Sequence, residues 1–291
     1  MRSAVSTKNV FTGNTWGLNR LPRRSRTLCT EFQPDWRWRR QVNPFDFEEV
    51  DKFIEVQLID FYRQRLQILG ELKLDDLLET NPYLFLAKNT GEAGKLVIGL
   101  LENFLAASET ELFDSFLVNL AIFVAGVVSN GRKSSIPGID LEFESNGVYY
   151  LVAIKPNPDW GNSSQQDDLK YDFQQAVKQV KESRPNMPIQ PVWGSCYGKA
   201  ATSQLPYCLK VEGQNFWYFI TQNEEFYVAI IERISCHLQA HNEFFNQQKS
   251  AAINRFCLEF INRFCDERGA IDWVKLVEFN SGNFDLERFF S

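Results

Sequence analysis

Apolar positions recur every three or four residues along the front of the chain. Val50, Phe53, Ile54, Leu58, Phe61, Tyr62 and Leu66 form one stripe, which predicts a long amphipathic helix from Phe45 to Leu69. Asn81-Pro82 closes the short helix that follows, because the residue before a proline avoids helical backbone. Thr90-Gly91-Glu92 opens a helix to about Ala107, and Ser108-x-x-Glu111 reads as a capping box for another through Val128. Leu120 to Val128 is apolar all round and should be buried. After the turn signal Asn130-Gly131 the period shifts to two. Ile136–Glu144 and Val148–Lys155 alternate as strands, split by the hairpin turn Ser145-Asn146-Gly147. Asp140, Glu142 and Glu144 then share one face of the first strand, and Lys155 shares a face with Ala153 and Leu151. Ser164-x-x-Asp167 caps a helix with the stripe Leu169, Phe173, Ala176, Val177 and Val180. Pro185 and Pro188 close it, and Ile189–Tyr197 is a third strand. Gln222–Cys265 is helical again, opened by Thr221-x-x-Glu224. The order predicts an α/β (α+β) fold, a mixed central sheet flanked by helices, with helical N- and C-terminal additions.

The 291 residues are 44% apolar and 23% charged, with 25 Phe, so most of the chain can fill a core. The longest uninterrupted apolar run, Leu120–Val128, is short of the roughly 20 residues of a membrane span, and none is expected. Six Cys show no paired spacing and no secretory pattern opens the chain, which predicts reduced thiols in a cytoplasmic protein. The net charge of −6 is uneven. Residues 1–42 hold nine Lys/Arg against two Asp/Glu, whereas the rest is acidic, so DNA binding is not advertised by overall charge. That head lacks periodicity and is expected to be a disordered basic extension. It reads equally as a phosphate-contacting arm (Arg37, Arg39 and Arg40 between Trp36 and Trp38), a transit peptide, or sequence upstream of a domain that begins near Val42–Asn43. The expected division is 1–42, a domain over 43–282, and a tail over 283–291.

The hairpin carries the candidate chemistry. An Asp and a Lys on neighbouring strands suit metal-assisted phosphodiester hydrolysis, the carboxylate holding a hard cation and the Lys orienting water or stabilising charge. Solvated antiparallel strands also carry acids and end in Lys for no chemical reason. Four segments decide the direction: Gly131-Arg-Lys-Ser-Ser135, Gly138-Ile-Asp-Leu-Glu-Phe-Glu144, Ile154-Lys155, and Asp159-Trp-Gly-Asn-Ser-Ser-Gln165. Together they resemble type II restriction endonucleases of the PD-(D/E)XK superfamily, from about Asn43 to Gly282. The resemblance implies an αβββαβ core and Mg²⁺-dependent cleavage of double-stranded DNA. It also implies a separate cognate DNA methyltransferase encoded nearby and, by analogy, a homodimer. Asp140 falls on the superfamily's metal-binding Asp, Lys155 on its Lys, and Ile154 on the position whose backbone carbonyl completes the metal shell.

The sequence departs from the pattern at Ala153, where the second acid should stand. Glu142 is the expected replacement as catalytic and metal-binding carboxylate; Asp167, Asp168, Asp114 and Glu111 are the others. Pro156, directly after Lys155, should remove one strand donor. DNA contacts are expected from Arg132, Lys133, Asn162, Ser163, Ser164, Gln165 and Lys199. The four residues from Asn162 also read simply as a capped helix start. A degenerate, DNA-binding relative is one alternative. The other is a cysteine amidotransferase, from the elbow-like Gly194-Ser-Cys-Tyr-Gly198 with Cys196 as nucleophile and His241 and Glu243 behind it.

Overall fold

The computed structural model describes residues 47–88, 91–236 and 239–282, without the side chains of residues 239–241. The expectations for 1–42 and for the tail 283–291 lie outside the described residues.

Among the described residues four helices come first: α1 (Phe47–Glu71), α2 (Leu74–Leu78), α3 (Pro82–Ala87) and α4 (Ala93–Ser129). α1 buries Val50, Ile54, Leu58 and Tyr62, one residue per turn, as its period predicts. Asn81, expected to close a helix, starts one. Its side-chain oxygen accepts from the Leu84 N–H, and Pro82 takes the first helical position, where no N–H is needed. The helix expected to break at Ser108 runs unbroken for 37 residues. Ser108 Oγ donates to the Phe104 carbonyl and Thr110 Oγ1 to that of Ala106, so both hydroxyls are satisfied inside the helix instead of capping one. Counting uninterrupted apolar residues therefore understated this element. By length and composition alone α4 could cross a membrane, with a mean hydropathy of 2.0 over 18 residues. Its buried side chains fill two cores. Leu96, Leu100 and Leu101 pack with Phe256 and Phe260, while Phe116, Leu120 and Val124 pack with Phe143, Val152 and Phe216. Its end is not buried all round, since Val127 is exposed.

Among the described residues the sheet has six strands: β1 (Arg132–Lys133), β2 (Leu141–Ser145), β3 (Val148–Ile154), β4 (Ile189–Ser195), β5 (Ser203–Gln204) and β6 (Leu209–Glu212). They lie in the order β1-β2-β3-β4-β6-β5. β3–β4 and β4–β6 are parallel and the other pairs antiparallel, so the sheet is mixed. With α5 (Ser163–Ser183) between β3 and β4, the run from α4 to β4 is αβββαβ. The alternation missed β1, β5 and β6, which are too short to show a period. Asn146 (φ 52°) and Gly147 (φ 73°) make the two-residue hairpin turn that their identities favour. α6 (Gly213–Thr221), α7 (Phe226–Ser235), α8 (Gln239–Phe264) and α9 (Trp273–Phe279) follow. Thr221 ends α6, with its Oγ1 donating to the Trp217 carbonyl and accepting from the Asn223 N–H at 3.2 Å, and the N-cap position of α7 falls to Glu225 instead.

The sheet separates two of the cores. Leu141, Phe143, Val152 and Ile154 face α4 and α6. Tyr149, Leu151, Ala153 and Trp193 face α5, whose Leu169, Phe173, Ala176 and Val180 are buried as predicted. Full burial of a side chain such as Phe173 stabilises by about 1.5–3 kcal/mol.

Candidate active site

β2 begins at Leu141, five residues later than expected. The preceding segment is a turn. The Ile136 N–H donates to Ser134 Oγ, that of Ile139 to the Ile136 carbonyl, and that of Ser134 to the Asp140 carbonyl. Asp140 N–H bonds the Val152 carbonyl at 2.9 Å, while Leu141 pairs with the same Val152. Two residues thus stand against one, as in a β-bulge, and the inside–outside alternation does not carry back from Glu142 to Asp140.

This irregularity divides the three acids that alternation placed together. Asp140 Oδ2 accepts from the Ile154 N–H at 2.7 Å, at the end of β3. Burial raises the pKa of its carboxyl, offset in part by that N–H and by Lys155 and Lys133. Glu142, buried on the other side of the bulge, accepts from the Tyr149 hydroxyl and pairs with Arg132 Nε at 3.4 Å. Burial and the Glu142 carboxylate push the Tyr149 hydroxyl pKa up. Glu144 is exposed and pairs with Arg184 at 3.1 Å. The structure therefore does not bring Glu142 to Asp140. It is the partner of Tyr149 and Arg132.

β3 ends at Ile154, and Lys155 N–H continues the pairing to the Gly194 carbonyl at 2.9 Å. Pro156 lies beyond the strand and costs it no donor. Lys155 Nζ stands 4.9 Å from the centre of the Trp160 ring. Ala153, where the acid was expected, is buried with Ile136, Ile139, Leu169 and Trp193.

Across the end of β3 lies α4. A cleft of about 460 Å³ opens along α4 as far as Pro156, lined among others by Thr110, Glu111, Asp114, Ser115 and Asn119. Asp114 is half-buried, and burial raises its carboxyl pKa. The buried Cys196 thiol, after β4, has its pKa pushed far up by burial and then by the charges of Asp114 and Asp140. Of the replacement acids, Glu111 and Asp114 both line this cleft; Glu111 is exposed, whereas Asp114 is half-buried and its charge, like that of Asp140, acts on the Cys196 thiol. Asp167 and Asp168 are exposed on the first turns of α5, and Asp167 acts on Tyr207 instead. Among the described residues no three His, Cys, Asp or Glu side chains converge on one point.

The expected DNA contacts fall into three groups. Lys133 is exposed and pairs with Leu141, next to Asp140, whereas Arg132 is tied to Glu142. Asn162 and Gln165 cap α5 reciprocally: Asn162 Oδ1 accepts from the Gln165 N–H and Gln165 Oε1 from the Asn162 N–H, at 3.0 and 3.1 Å. This replaces the box expected at Ser164, and their side-chain oxygens are occupied. Ser163 and Ser164 are exposed on the first turn. Lys199 is exposed in the loop after β4.

The amidotransferase elbow is absent. Cys196 is buried with a raised pKa, and a loop and β5 follow it where a helix would have to start. Glu243 is exposed on α8, and the His241 side chain lies outside the described residues.

The residue periodicities missed two groups at this site, Tyr149 and Trp160. The only signal for them was aromatic identity: Tyr149 beside the Asn-Gly turn, and Trp160 in the turn after Lys155.

The model of one family, described as type II restriction endonuclease EcoO109I, matches residues 48–242. No curated protein sequence matches the chain.

Proposed function

The chain belongs to the family of the type II restriction endonuclease EcoO109I, hydrolases that cut DNA phosphodiester bonds site-specifically, and we propose that it cuts double-stranded DNA with Mg²⁺ at Asp140, Ile154 and Lys155. The observation that carries this assignment is the Asp140 carboxylate held by the Ile154 N–H at 2.7 Å, under the influence of Lys155, within the matched segment.

The donors fit a hard cation. Mg²⁺ takes oxygen ligands, keeps several waters and is commonly held by one or two carboxylates plus substrate phosphate. Asp140 and the Ile154 carbonyl would hold it, with Asp114 of α4 supplying the carboxylate that Ala153 cannot. When bound, the ion polarises the scissile phosphate and lowers the pKa of a water nucleophile. Lys155 donates to that water or to the charge that develops on the phosphate. Lys133 neutralises an adjacent phosphate. The first turn of α5, with Ser163, Ser164 and the amide NH₂ groups of Asn162 and Gln165, presents donors to the backbone. Lys199 is a further contact from the β4 loop. Arg132 remains with Glu142.

The enzyme acts in the cytoplasm as a homodimer, one subunit per strand, and a cognate methyltransferase encoded nearby protects the host's own sites. A second reading is a DNA-binding relative that has lost cleavage, favoured by the apolar burial of Ala153. Incubating the protein with unmethylated phage DNA separates the two. Discrete fragments that require Mg²⁺ and vanish with EDTA support the nuclease. A gel shift without any cleavage supports the second reading.

A further inference from the structure

Lysine carries its charge on a flexible four-carbon stem, so a catalytic ammonium needs something to hold it. Among the described residues no ion pair and no hydrogen bond fixes Lys155 Nζ, and the position two residues back, Ala153, offers no carboxylate. What meets the ammonium is the Trp160 indole, 4.9 Å from its ring centre. A cation over an indole face is attracted by the ring quadrupole.

The indole is itself held. After Pro156 the chain turns back, with the Asp159 N–H on Asn157 Oδ1 at 2.9 Å and the Trp160 N–H on the Asn157 carbonyl at 3.2 Å. This brings Trp160 against Trp193 of β4, with ring centres 5.7 Å apart at 83°, an edge-to-face contact. Trp193 is buried and carries a second ammonium on its ring, that of Lys210 at 4.2 Å. Lys210 in turn is pinned to the buried Glu212 at 2.8 Å. The ring that meets Lys155 therefore rests on the sheet.

We propose that Trp160 is a positioning residue for DNA cleavage: its indole face holds the Lys155 ammonium beside Asp140, a restraint that no carboxylate supplies. The proposal rests on the assignment of Asp140 and Lys155 to the cleavage site. It accounts for an aromatic residue in the turn directly after the lysine.

The test compares Trp160→Leu and Trp160→Phe with the wild-type enzyme, and uses Asp140→Asn and Lys155→Arg as controls. In cleavage of phage DNA with Mg²⁺, Trp160→Leu should lower kcat roughly tenfold while KM stays within about twofold, since a misplaced group costs turnover and not substrate affinity. Trp160→Phe restores a ring face and should recover kcat to within about threefold. A merely structural role would lower the melting temperature of both variants and leave no such split. The second readout needs no activity. In NMR spectra of reductively ¹³C-methylated protein, the Lys155 signal, identified by its loss in Lys155→Arg, should lie upfield through the indole ring current. It should move to the position of exposed lysines in Trp160→Leu. Wild-type kcat in Trp160→Leu, or a Lys155 signal indifferent to that change, overturns the proposal. If Asp140→Asn and Lys155→Arg cleave as well as wild type, the site assignment fails instead, whatever the lysine signal shows.

Discussion

Glu142 and Asp114 make opposite predictions. Glu142 is 5% exposed, accepts from the Tyr149 hydroxyl and pairs with an Arg132 that is 68% exposed. In Glu142→Leu the Tyr149 hydroxyl loses its acceptor, a loss of about 1–3 kcal/mol for a buried donor. The ion pair adds no more than about 1 kcal/mol, because Arg132 is largely in water. At roughly 2–4 °C per kcal/mol for a chain of this size, the melting temperature should fall by about 5–10 °C. Glu142→Gln keeps an acceptor oxygen for Tyr149, so its loss should stay below about 1 kcal/mol. Cleavage measured well below the transition should remain within about threefold of wild type in both variants, since neither contact touches Asp140. Asp114→Asn should do the reverse. Burial already disfavours its charge, so stability should hold or rise, while cleavage falls at least tenfold, in the usual range for loss of one metal-directed carboxylate. Thermal melts and initial rates on a single-site plasmid, at several Mg²⁺ concentrations, separate the two. A Glu142→Gln enzyme that melts like wild type but no longer cuts would refute the division of the acids by the bulge.

Three further outcomes are expected. Asp140→Asn should reduce cleavage by at least about 100-fold and retain DNA in a gel shift, because the cation loses its charged ligand. Since burial raises the Asp140 pKa, its contribution to stability without divalent metal is complete below the ordinary carboxylate range. It is lost as pH rises through the raised value, and urea melts of Asp140→Asn against pH should lack that decline. Lys133→Ala should weaken DNA affinity and reduce the slope of log K against log salt by about one, as for one lost phosphate contact; an unchanged slope would remove Lys133 from the interface. Gly194→Ala should cost about 1–3 kcal/mol, since a Cβ there overlaps the Phe216 ring, and it should also impair cleavage because the Gly194 carbonyl anchors Lys155 N–H; a wild-type melting curve would contradict this packing.

What the sequence determined by itself was what short-range spacing can encode. The stripe of α5, the Asn146-Gly147 hairpin and the order helix, strand, strand, helix, strand follow from periods and turn residues within one element or between neighbours. Asp140 and Lys155 were singled out because the segments that carry them lie on one hairpin and resemble a known endonuclease pattern. Tertiary structure decided everything that depends on which elements meet. Ser108 looked like a cap, and only the surrounding cores make α4 continue through it, its hydroxyl turning to Phe104. The N-cap of α5 fell to Asn162 and not Ser164, because two backbone N–H groups there found side-chain oxygens at once. Strand alternation placed Asp140 with Glu142, and one extra residue opposite Val152 parted them, since a period of two does not survive a bulge. Asp114 reaches the cleft from a helix 26 residues earlier, and Trp160 reaches Lys155 through a turn braced on Trp193. Neither approach leaves a period in the chain, because each is set by the packing of one whole element against another.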